Sequence, residues 1–258
     1  MTSMNNNDQK PDLQRRAFIG KTAVAATAAV AVPGTIFATI AAARAPEDAA
    51  SSDVRWGMVI DSSKCASECN ACVTGCNDEH GLTGHGRPTT DPQWIRKVQL
   101  KNKLTGHVTS LPMMCQHCET APCVDVCPTG ASMRRDDGLV QVNQHTCIGC
   151  RYCMMACPYK ARSFVHETLT DQVPDTPRGK GCVESCNFCV TRIDNMVNNG
   201  QTPTTACQEA CAKDGGGAIV FGDLNDPNSE VAKRLREVPT RQIRADLGLN
   251  TGVRYEGL

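Results

Sequence analysis

The sequence predicts an α+β fold of two small modules, each stabilised by bound cofactors, that follow an N-terminal targeting segment. Three observations support this prediction. Seventeen of the 258 residues are cysteine, only 4% are aromatic, and the chain opens with a pair of arginines before an alanine-rich run. A chain with so few large apolar rings has little material for a thick core, so metal centres or disulfides are expected to stabilise it.

The first forty-five residues have the composition of an export signal. A polar leader ends in Arg15 and Arg16, and a weakly apolar, alanine-rich run follows Phe18. This pattern predicts a twin-arginine signal peptide over residues 1–45 and a location in the periplasm, peripheral to the inner membrane. An uncleaved membrane anchor is the alternative, although Pro33 interrupts the run. Because the twin-arginine route carries folded proteins, a metal centre assembled in the reducing cytoplasm could be exported intact.

Sixteen of the cysteines fall into four groups with short internal spacings. Group one reads C-x3-C-x2-C-x3-C, group two C-x2-C-x4-C-x3-C, group three C-x2-C-x2-C-x3-C and group four C-x2-C-x17-C-x3-C. In chain order the members are Cys65, Cys69, Cys72 and Cys76; Cys115, Cys118, Cys123 and Cys127; Cys147, Cys150, Cys153 and Cys157; and Cys186, Cys189, Cys207 and Cys211. Pro128 and Pro158 directly follow the last cysteines of groups two and three.

Group three has the bacterial ferredoxin spacing for [4Fe–4S] clusters. In that pattern three cysteines hold one cluster and the fourth ligates the neighbouring cluster, so the groups should work in pairs. We therefore predict four [4Fe–4S] clusters, held by four sets of cysteines. Set A is Cys65, Cys69, Cys72 and Cys211; set B is Cys76, Cys186, Cys189 and Cys207; set C is Cys115, Cys118, Cys123 and Cys157; set D is Cys127, Cys147, Cys150 and Cys153.

This pairing predicts two bacterial-ferredoxin-like 2[4Fe–4S] modules with loop insertions. Sets A and B would form an outer module from residues 46–110 and 180–222, and sets C and D an inner module from residues 111–179. A C-terminal helix and tail would occupy residues 223–258. The extra residue in group one and the long insert in group four leave the nuclearity of the outer clusters open.

Zinc and disulfides are the competing interpretations of the cysteines. Zinc sites use separated C-x2-C pairs more often than quartets that end in proline, and a disulfide framework favours an even number of cysteines. Cys182 remains outside the four groups; it is either an alternative ligand to Cys186 or a small buried side chain. His117, between two predicted ligands, is either a hydrogen-bond donor to a cluster or an ordinary packed histidine.

The remaining segments predict short elements between the cysteine groups. RWGMVID (55–61) and LVQVN (139–143) are expected to be strands, as is the end of KDGGGAIVFGD. DPNSEVAKRLREVP (226–239) predicts a helix capped by Asn228 or Ser229 that packs on its own domain. Residues 168–181 are expected to be a linker. Lysine plus arginine balances aspartate plus glutamate at 27 each, so no nucleic-acid surface is implied.

Two motifs carry a resemblance to a known family. MCQHCETAPCVDVCPTGAS and CIGCRYCMMACPYKARSF resemble the central motifs of the iron–sulfur subunits of the dimethyl sulfoxide reductase, polysulfide reductase and NrfC type. The resemblance covers nearly all of residues 54–222. The export signal, RGKGCVESCNFC and FGDLNDPNSEVAKRLRE are most similar to the DsrO-like branch, the periplasmic subunits of the membrane complex linked to dissimilatory sulfite reductase.

The resemblance implies an electron-transfer subunit rather than an enzyme. It implies four [4Fe–4S] clusters, an NrfD-like quinone-binding membrane subunit, a multihaem cytochrome c and other complex subunits as partners, and a role in sulfur metabolism. The alternatives are an iron–sulfur subunit of a periplasmic molybdopterin reductase for tetrathionate or polysulfide, or of an NrfC-type nitrite reductase system. An exported zinc-binding structural module is a remote alternative.

Overall fold

The computed structural model of the protein describes residues 50–170, 172–174 and 176–258, and the predicted signal peptide lies outside them. Residues 50–258 form one contact unit. Its strands are β1 (Trp56–Asp61), β2 (Arg96–Lys101), β3 (Val108–Met113), β4 (Ser132–Arg134), β5 (Val140–Val142), β6 (Ser163–Phe164), β7 (Val183–Glu184), β8 (Ile219–Asp223), β9 (Thr240–Arg241) and β10 (Val253–Glu256). Its helices are α1 (Ala71–His80), α2 (Pro122–Asp125), α3 (Tyr152–Ala156), α4 (Val190–Asn198), α5 (Ala206–Asp214) and α6 (Glu230–Glu237).

A four-stranded sheet in the order β8-β1-β10-β9 lies at the centre of the fold. Strand β1 pairs antiparallel with β8 and parallel with β10, with Met58 opposite both Phe221 and Val253. Met58, Val253 and Tyr255 are fully buried. The strands predicted at 55–61 and in KDGGGAIVFGD are therefore confirmed. The C-terminal segment supplies two strands that the sequence prediction described only as a tail.

The other strands form two-stranded ladders between the cysteine groups. β2 pairs with β3, β4 with β5 and β6 with β7, all antiparallel. The predicted strand within 139–143 appears as β5, with Leu139 and Val140 buried. Short ladders of this kind join the loops that carry the cysteines and leave little core of their own.

The helices near the cysteines pack in two pairs. α1 contacts α5, and α2 contacts α3. The first pair approaches closely at Gly75, where a Cβ would stand 2.6 Å from the Cβ of Ala210. Larger side chains at this crossing would separate group one from the second half of group four. The mixed α+β class predicted from the sequence is confirmed, whereas the division into two modules stays a prediction.

The C-terminal helix α6 forms as predicted and packs on the sheet. The Ser229 side chain caps it by accepting a hydrogen bond from the Ala232 amide, and Val231 is fully buried. The helix contacts β8 and β1, so its apolar face is used within this unit. None of the helices in the described residues is long and apolar enough to span a bilayer.

The segment predicted as a linker at 168–181 is fastened to the fold. Arg178 is buried and makes a two-pronged ion pair with Glu184, with Nε–Oε2 and Nη2–Oε1 distances of 3.0 and 2.7 Å. Its third nitrogen donates to the Gly81 carbonyl at 2.7 Å, just beyond the end of α1. The arginine therefore ties the segment to both group one and group four, a role that the prediction of a linker missed.

Candidate metal centres

The four cysteine groups share one local design. Each group begins on a loop and continues into a short helix: α1, α2 and α3 follow the first members of groups one, two and three, α4 follows Cys189 of group four, and α5 carries Cys207 and Cys211. All seventeen cysteines lie in the described part of the chain, and each is a free thiol. The predicted disulfide alternative therefore finds no bond in the structure.

Three of the cysteine loops hold a residue in the left-handed conformation directly before their second cysteine. These residues are His117, Gly149 and Phe188, with φ values of 44°, 69° and 55°. Such a turn points neighbouring backbone N–H groups to one side, which creates a concave surface that favours anions. Gly149 is also needed for space, because a Cβ there would lie 2.1 Å from the Gly181 carbonyl oxygen.

The structure brings group one together with group four. The pKa of Cys72 is raised to about 12, first by burial and then by the thiolates of Cys207, Cys211 and Cys65, in that order. The pKa of Cys76 is also raised, first by burial and then by a different set of neighbours, which are Cys186, Cys207, Cys189 and Cys72 in order of effect. The last cysteine of each group thus faces members of the other group.

Groups two and three meet in the same manner. Burial, followed by the thiolates of Cys123 and Cys157, raises the pKa of Cys118 to about 12. Burial also raises the pKa of Cys115 to about 12, with Cys123 and Cys157 contributing again and Arg162 opposing. Cys157, the last cysteine of group three, therefore faces three members of group two.

The four sets adjoin one another in a single order. Cys72 of set A interacts with Cys207 of set B, and Cys186 of set B interacts with Cys115 of set C. The third step joins set C to set D, because Cys153 interacts with Cys123 as well as with Cys147. The cysteines of sets B and C are all buried, whereas Cys65, Cys69, Cys127 and Cys147 are half-buried and Cys150 is exposed.

An aromatic stack crosses from set B to set C. The rings of His117 and Phe188 are 3.6 Å apart between centroids and inclined by 21°. The His117 Nδ1 atom accepts a hydrogen bond from the Val140 amide at 3.0 Å, which places the ring proton on Nε2. This Nε2 is buried without a partner in the part of the chain that the structure describes. Such an unpaired donor fits the predicted role of His117 as a hydrogen-bond donor to a cluster.

Hydrogen-bond donors surround the sulfur atoms themselves. Backbone amides of Ser132, Val183 and Ala218 point at the Sγ atoms of Cys127, Cys147 and Cys211, at 3.3, 3.4 and 3.2 Å in that order. Burial acts to raise the pKa of Cys127, but the donors from Ser132 and Thr129 outweigh it and lower that pKa. Donors of this kind stabilise a thiolate, the form of cysteine that binds metal.

Three charged or polar side chains also reach the sulfurs. The Lys97 ammonium lies 2.9 Å from the Cys65 Sγ, and the Arg162 guanidinium lies 3.1 Å from the Cys123 Sγ. The His80 Nε2 lies 3.4 Å from the Cys189 Sγ. The spacing of the cysteines predicts none of the three contacts, because each of these side chains lies outside the cysteine group that it contacts. The sequence carries one weak signal, because Arg162 is a cation that follows the last cysteine of group three by five positions.

These residues fit iron–sulfur clusters in both chemistry and arrangement. Soft thiolates are the ligands of such clusters, and the buried, donor-rich surroundings suit an anionic core. Among residues 50–170, 172–174 and 176–258, no three His, Cys, Asp or Glu side chains stand as close as ligands of one ion would. Cluster ligands stand farther apart than that, because the iron and sulfide core lies between them.

Cys182 lies beside set D and not beside set B. Its Sγ is 3.3 Å from the Gln144 carbonyl oxygen and 3.8 Å from the Cys147 carbonyl oxygen. Burial and then the neighbouring Cys147 raise the pKa of Cys182. This position matches the interpretation as a small buried side chain that packs under the group-three loop.

Comparison with known proteins agrees with this geometry. The sequence model described as a 4Fe-4S dicluster domain matches residues 107–224. The chain is 40% identical to the Hdr-like menaquinol oxidoreductase iron-sulfur subunit 1 of Archaeoglobus fulgidus, over 95% of this chain and 98% of that protein. The chain belongs to the NrfC-type family of iron–sulfur subunits. Within this family it is 37% identical to NrfC of Escherichia coli, over 76% of this chain and 77% of that protein. It is 35% identical to a tetrathionate reductase subunit of Salmonella typhimurium, over 79% of this chain and 73% of that protein.

Proposed function

We propose that this chain is an electron-transfer subunit that passes single electrons through four [4Fe–4S] clusters. The observation that carries the proposal is the order of the thiols, in which each set adjoins the next from A to D. A [4Fe–4S] cluster supplies a site that gains and loses one electron at a time. The protein's own residues hold the clusters in line, exclude water from the middle of the line and set the local charge.

The ligand sets that we propose are those of the spacing rule. Electrostatic interactions support the proximity of Cys65, Cys72 and Cys211, of the four cysteines of set B, of the four cysteines of set C, and of Cys147 with Cys153. Cys72 also interacts with Cys207 of set B and Cys153 with Cys123 of set C, so the division into sets rests on the spacing rule. The assignment of Cys69, Cys127 and Cys150 rests on spacing alone. The packing of α1 on α5 and of α2 on α3 supports the two predicted ferredoxin-like modules.

The exposure of the sets supports electron entry and exit at the ends of the proposed line. Sets B and C are buried, and the exposed Cys150 marks the set D end. Ile148, Tyr152 and Met155 surround it and are 66%, 55% and 70% exposed. Large apolar side chains on the loop of a redox centre suit contact with another subunit. We assign this end to the NrfD-like, quinone-binding membrane subunit.

The wider setting that we propose is a periplasmic complex in dissimilatory sulfur metabolism. The twin-arginine pattern in residues 1–45 supports export, and the similarity to an iron–sulfur subunit of a menaquinol oxidoreductase supports a quinone-linked complex. A multihaem cytochrome c and other redox subunits are the further partners. Four cysteine ligands for each cluster leave no open iron for a substrate, which supports a role in transfer and not in catalysis.

A second function is favoured by other relatives. The similarity to a tetrathionate reductase subunit and to NrfC supports membership of a periplasmic molybdopterin reductase or of a nitrite reductase system. The cluster chemistry would be unchanged in either case, and only the partners would differ. A zinc-binding module, the remote alternative, would give colourless protein instead of brown.

Two experiments test the proposal. Protein purified without oxygen should contain about sixteen iron atoms and as many sulfides per chain, with the electron paramagnetic resonance of reduced cubanes. Cys186→Ser should lose iron while the matched variant Cys182→Ser keeps it; wild-type protein with zinc and no iron would refute the function.

Mass spectrometry after a mild-detergent pull-down from native membranes then separates the complexes. An NrfD-like protein with a multihaem cytochrome supports the sulfur-linked complex, and a molybdopterin subunit supports the alternative.

A further inference from the structure

Arg162 places a positive charge between the two inner cysteine sets. Its side chain is buried, with the residue 6% exposed, and follows the last cysteine of group three by five positions. One guanidinium nitrogen, Nη2, lies 3.1 Å from the Cys123 Sγ of set C. Cys153 of set D and Cys115 of set C are further electrostatic neighbours of the guanidinium.

The neighbours of this guanidinium are sulfur atoms and not carboxylates. Within the described residues, the salt bridges of the fold use other arginines and lysines, and the Nε and Nη1 atoms of Arg162 have no hydrogen-bond partner. A buried, unpaired guanidinium is costly unless negative charge compensates it. Thiolates and the anionic core that they hold on both sides supply that compensation.

The other cations near thiols are placed differently. Lys97 contacts Cys65 at the half-buried start of set A, and its ammonium also donates to the Ala66 carbonyl at 2.8 Å. It touches a single set, and solvent reaches the contact. Arg162 is buried, contacts Cys123 of set C and has Cys153 of set D as an electrostatic neighbour. Its charge therefore acts on both inner clusters through a medium that screens it weakly.

We propose that Arg162 is a positioning residue that raises the reduction potentials of the set C and set D clusters together. The inference rests on the proposed function. Each transfer moves one electron from one cluster to its neighbour, without a proton or a bond change, so reduction adds one negative charge to the cluster that accepts it. A buried cation stabilises that added charge in either cluster. Because the two clusters share the cation, both potentials shift in the same direction, and the difference between them changes less than either potential does.

The test is a redox titration of the holoprotein, followed by electron paramagnetic resonance. Arg162→Gln removes the charge and keeps a donor, and Arg162→Lys keeps the charge. Arg134→Gln is the matched control, because it removes the same charge from an exposed position in the same region. We expect Arg162→Gln to change the ratio of reduced to oxidised cluster at least tenfold at a fixed potential, for two of the four clusters. That change corresponds to a potential about 59 mV lower for a one-electron couple.

Arg162→Lys should titrate close to wild type, and so should Arg134→Gln. If Arg162→Gln protein lacks two clusters while Arg162→Lys keeps all four, the charge holds the clusters in place and does not set their potentials, and the inference is overturned. Loss of the clusters in Arg162→Lys as well, or a titration of Arg162→Gln that matches Arg134→Gln, overturns it. Wild-type protein without clusters would instead refute the proposed function, so the two failures are distinguishable.

Discussion

The buried ion pair between Arg178 and Glu184 gives the most direct test of how the fold is held together. Only 5% and 1% of the two side chains are exposed, and two hydrogen bonds join them. Arg178→Met would leave the Glu184 carboxylate buried without its partner. Removal of one member of such a pair costs about 3–5 kcal/mol. The variant would also lose the hydrogen bond from Arg178 to the Gly81 carbonyl, which joins the 168–181 segment to the end of α1.

The assay is urea unfolding of the cluster-loaded protein without oxygen, followed by far-ultraviolet circular dichroism. With a urea dependence of about 2–3 kcal/mol per molar, the expected loss lowers the midpoint by at least about 1 M. Arg244→Met is the matched control, because its pair with Asp246 is exposed and should leave the midpoint unchanged. The double variant Arg178→Met/Glu184→Leu should recover part of the loss. A midpoint for Arg178→Met equal to that of the control would refute this account of the anchor.

Three further predictions concern the cysteine loops and the helix beside them. Gly149→Ala should remove about four iron atoms per chain, because the added Cβ would lie 2.1 Å from the Gly181 carbonyl oxygen. Gly130→Ala is the control, since Gly130 has a similar positive φ and open space around it, and an iron assay should show no loss. Lys97→Gln should lower the reduction potential of one outer cluster in a redox titration, by less than the loss of the buried Arg162 charge lowers the inner potentials. An unchanged potential would contradict a role for Lys97 at Cys65. Ser229→Ala should cost about 1 kcal/mol in urea unfolding while the iron content stays at the wild-type value; a change in iron would show that α6 does more than pack.

The cysteine loops could be predicted from the sequence because their geometry is local. The spacing of group three dictates which thiols can wrap one cluster, and the turn at Gly149 needs a residue that tolerates a positive φ. The capped helix α6 was also predictable, since Ser229 and the apolar positions after it lie within a few residues of one another. Local patterns of this kind carry their own structural information.

The contacts between distant segments could not be predicted. Strand β10 pairs with β1 across nearly two hundred residues, and its Tyr255 hydroxyl bonds to the Pro112 carbonyl just before group two. Lys97 and Arg162 likewise reach cysteines that are more than thirty residues away. A cation in the sequence is most often solvated, so nothing marks these two until the fold brings sulfur to them.

The junction between the two cysteine pairs differs in kind from the junctions inside them. Within each pair of groups, the last cysteine of one group lies beside cysteines of the other group. The same residue therefore completes a predicted ligand set and brings the two groups together. Between the pairs, sets B and C meet through the proximity of Cys186 to Cys115 and through the stack of Phe188 on His117. The backbone at both stacked residues is left-handed, and each directly precedes the second cysteine of its loop. The left-handed turn in each cysteine loop therefore also places the ring that stacks on the other loop. The shape of the two loops and the contact between sets B and C both depend on this turn.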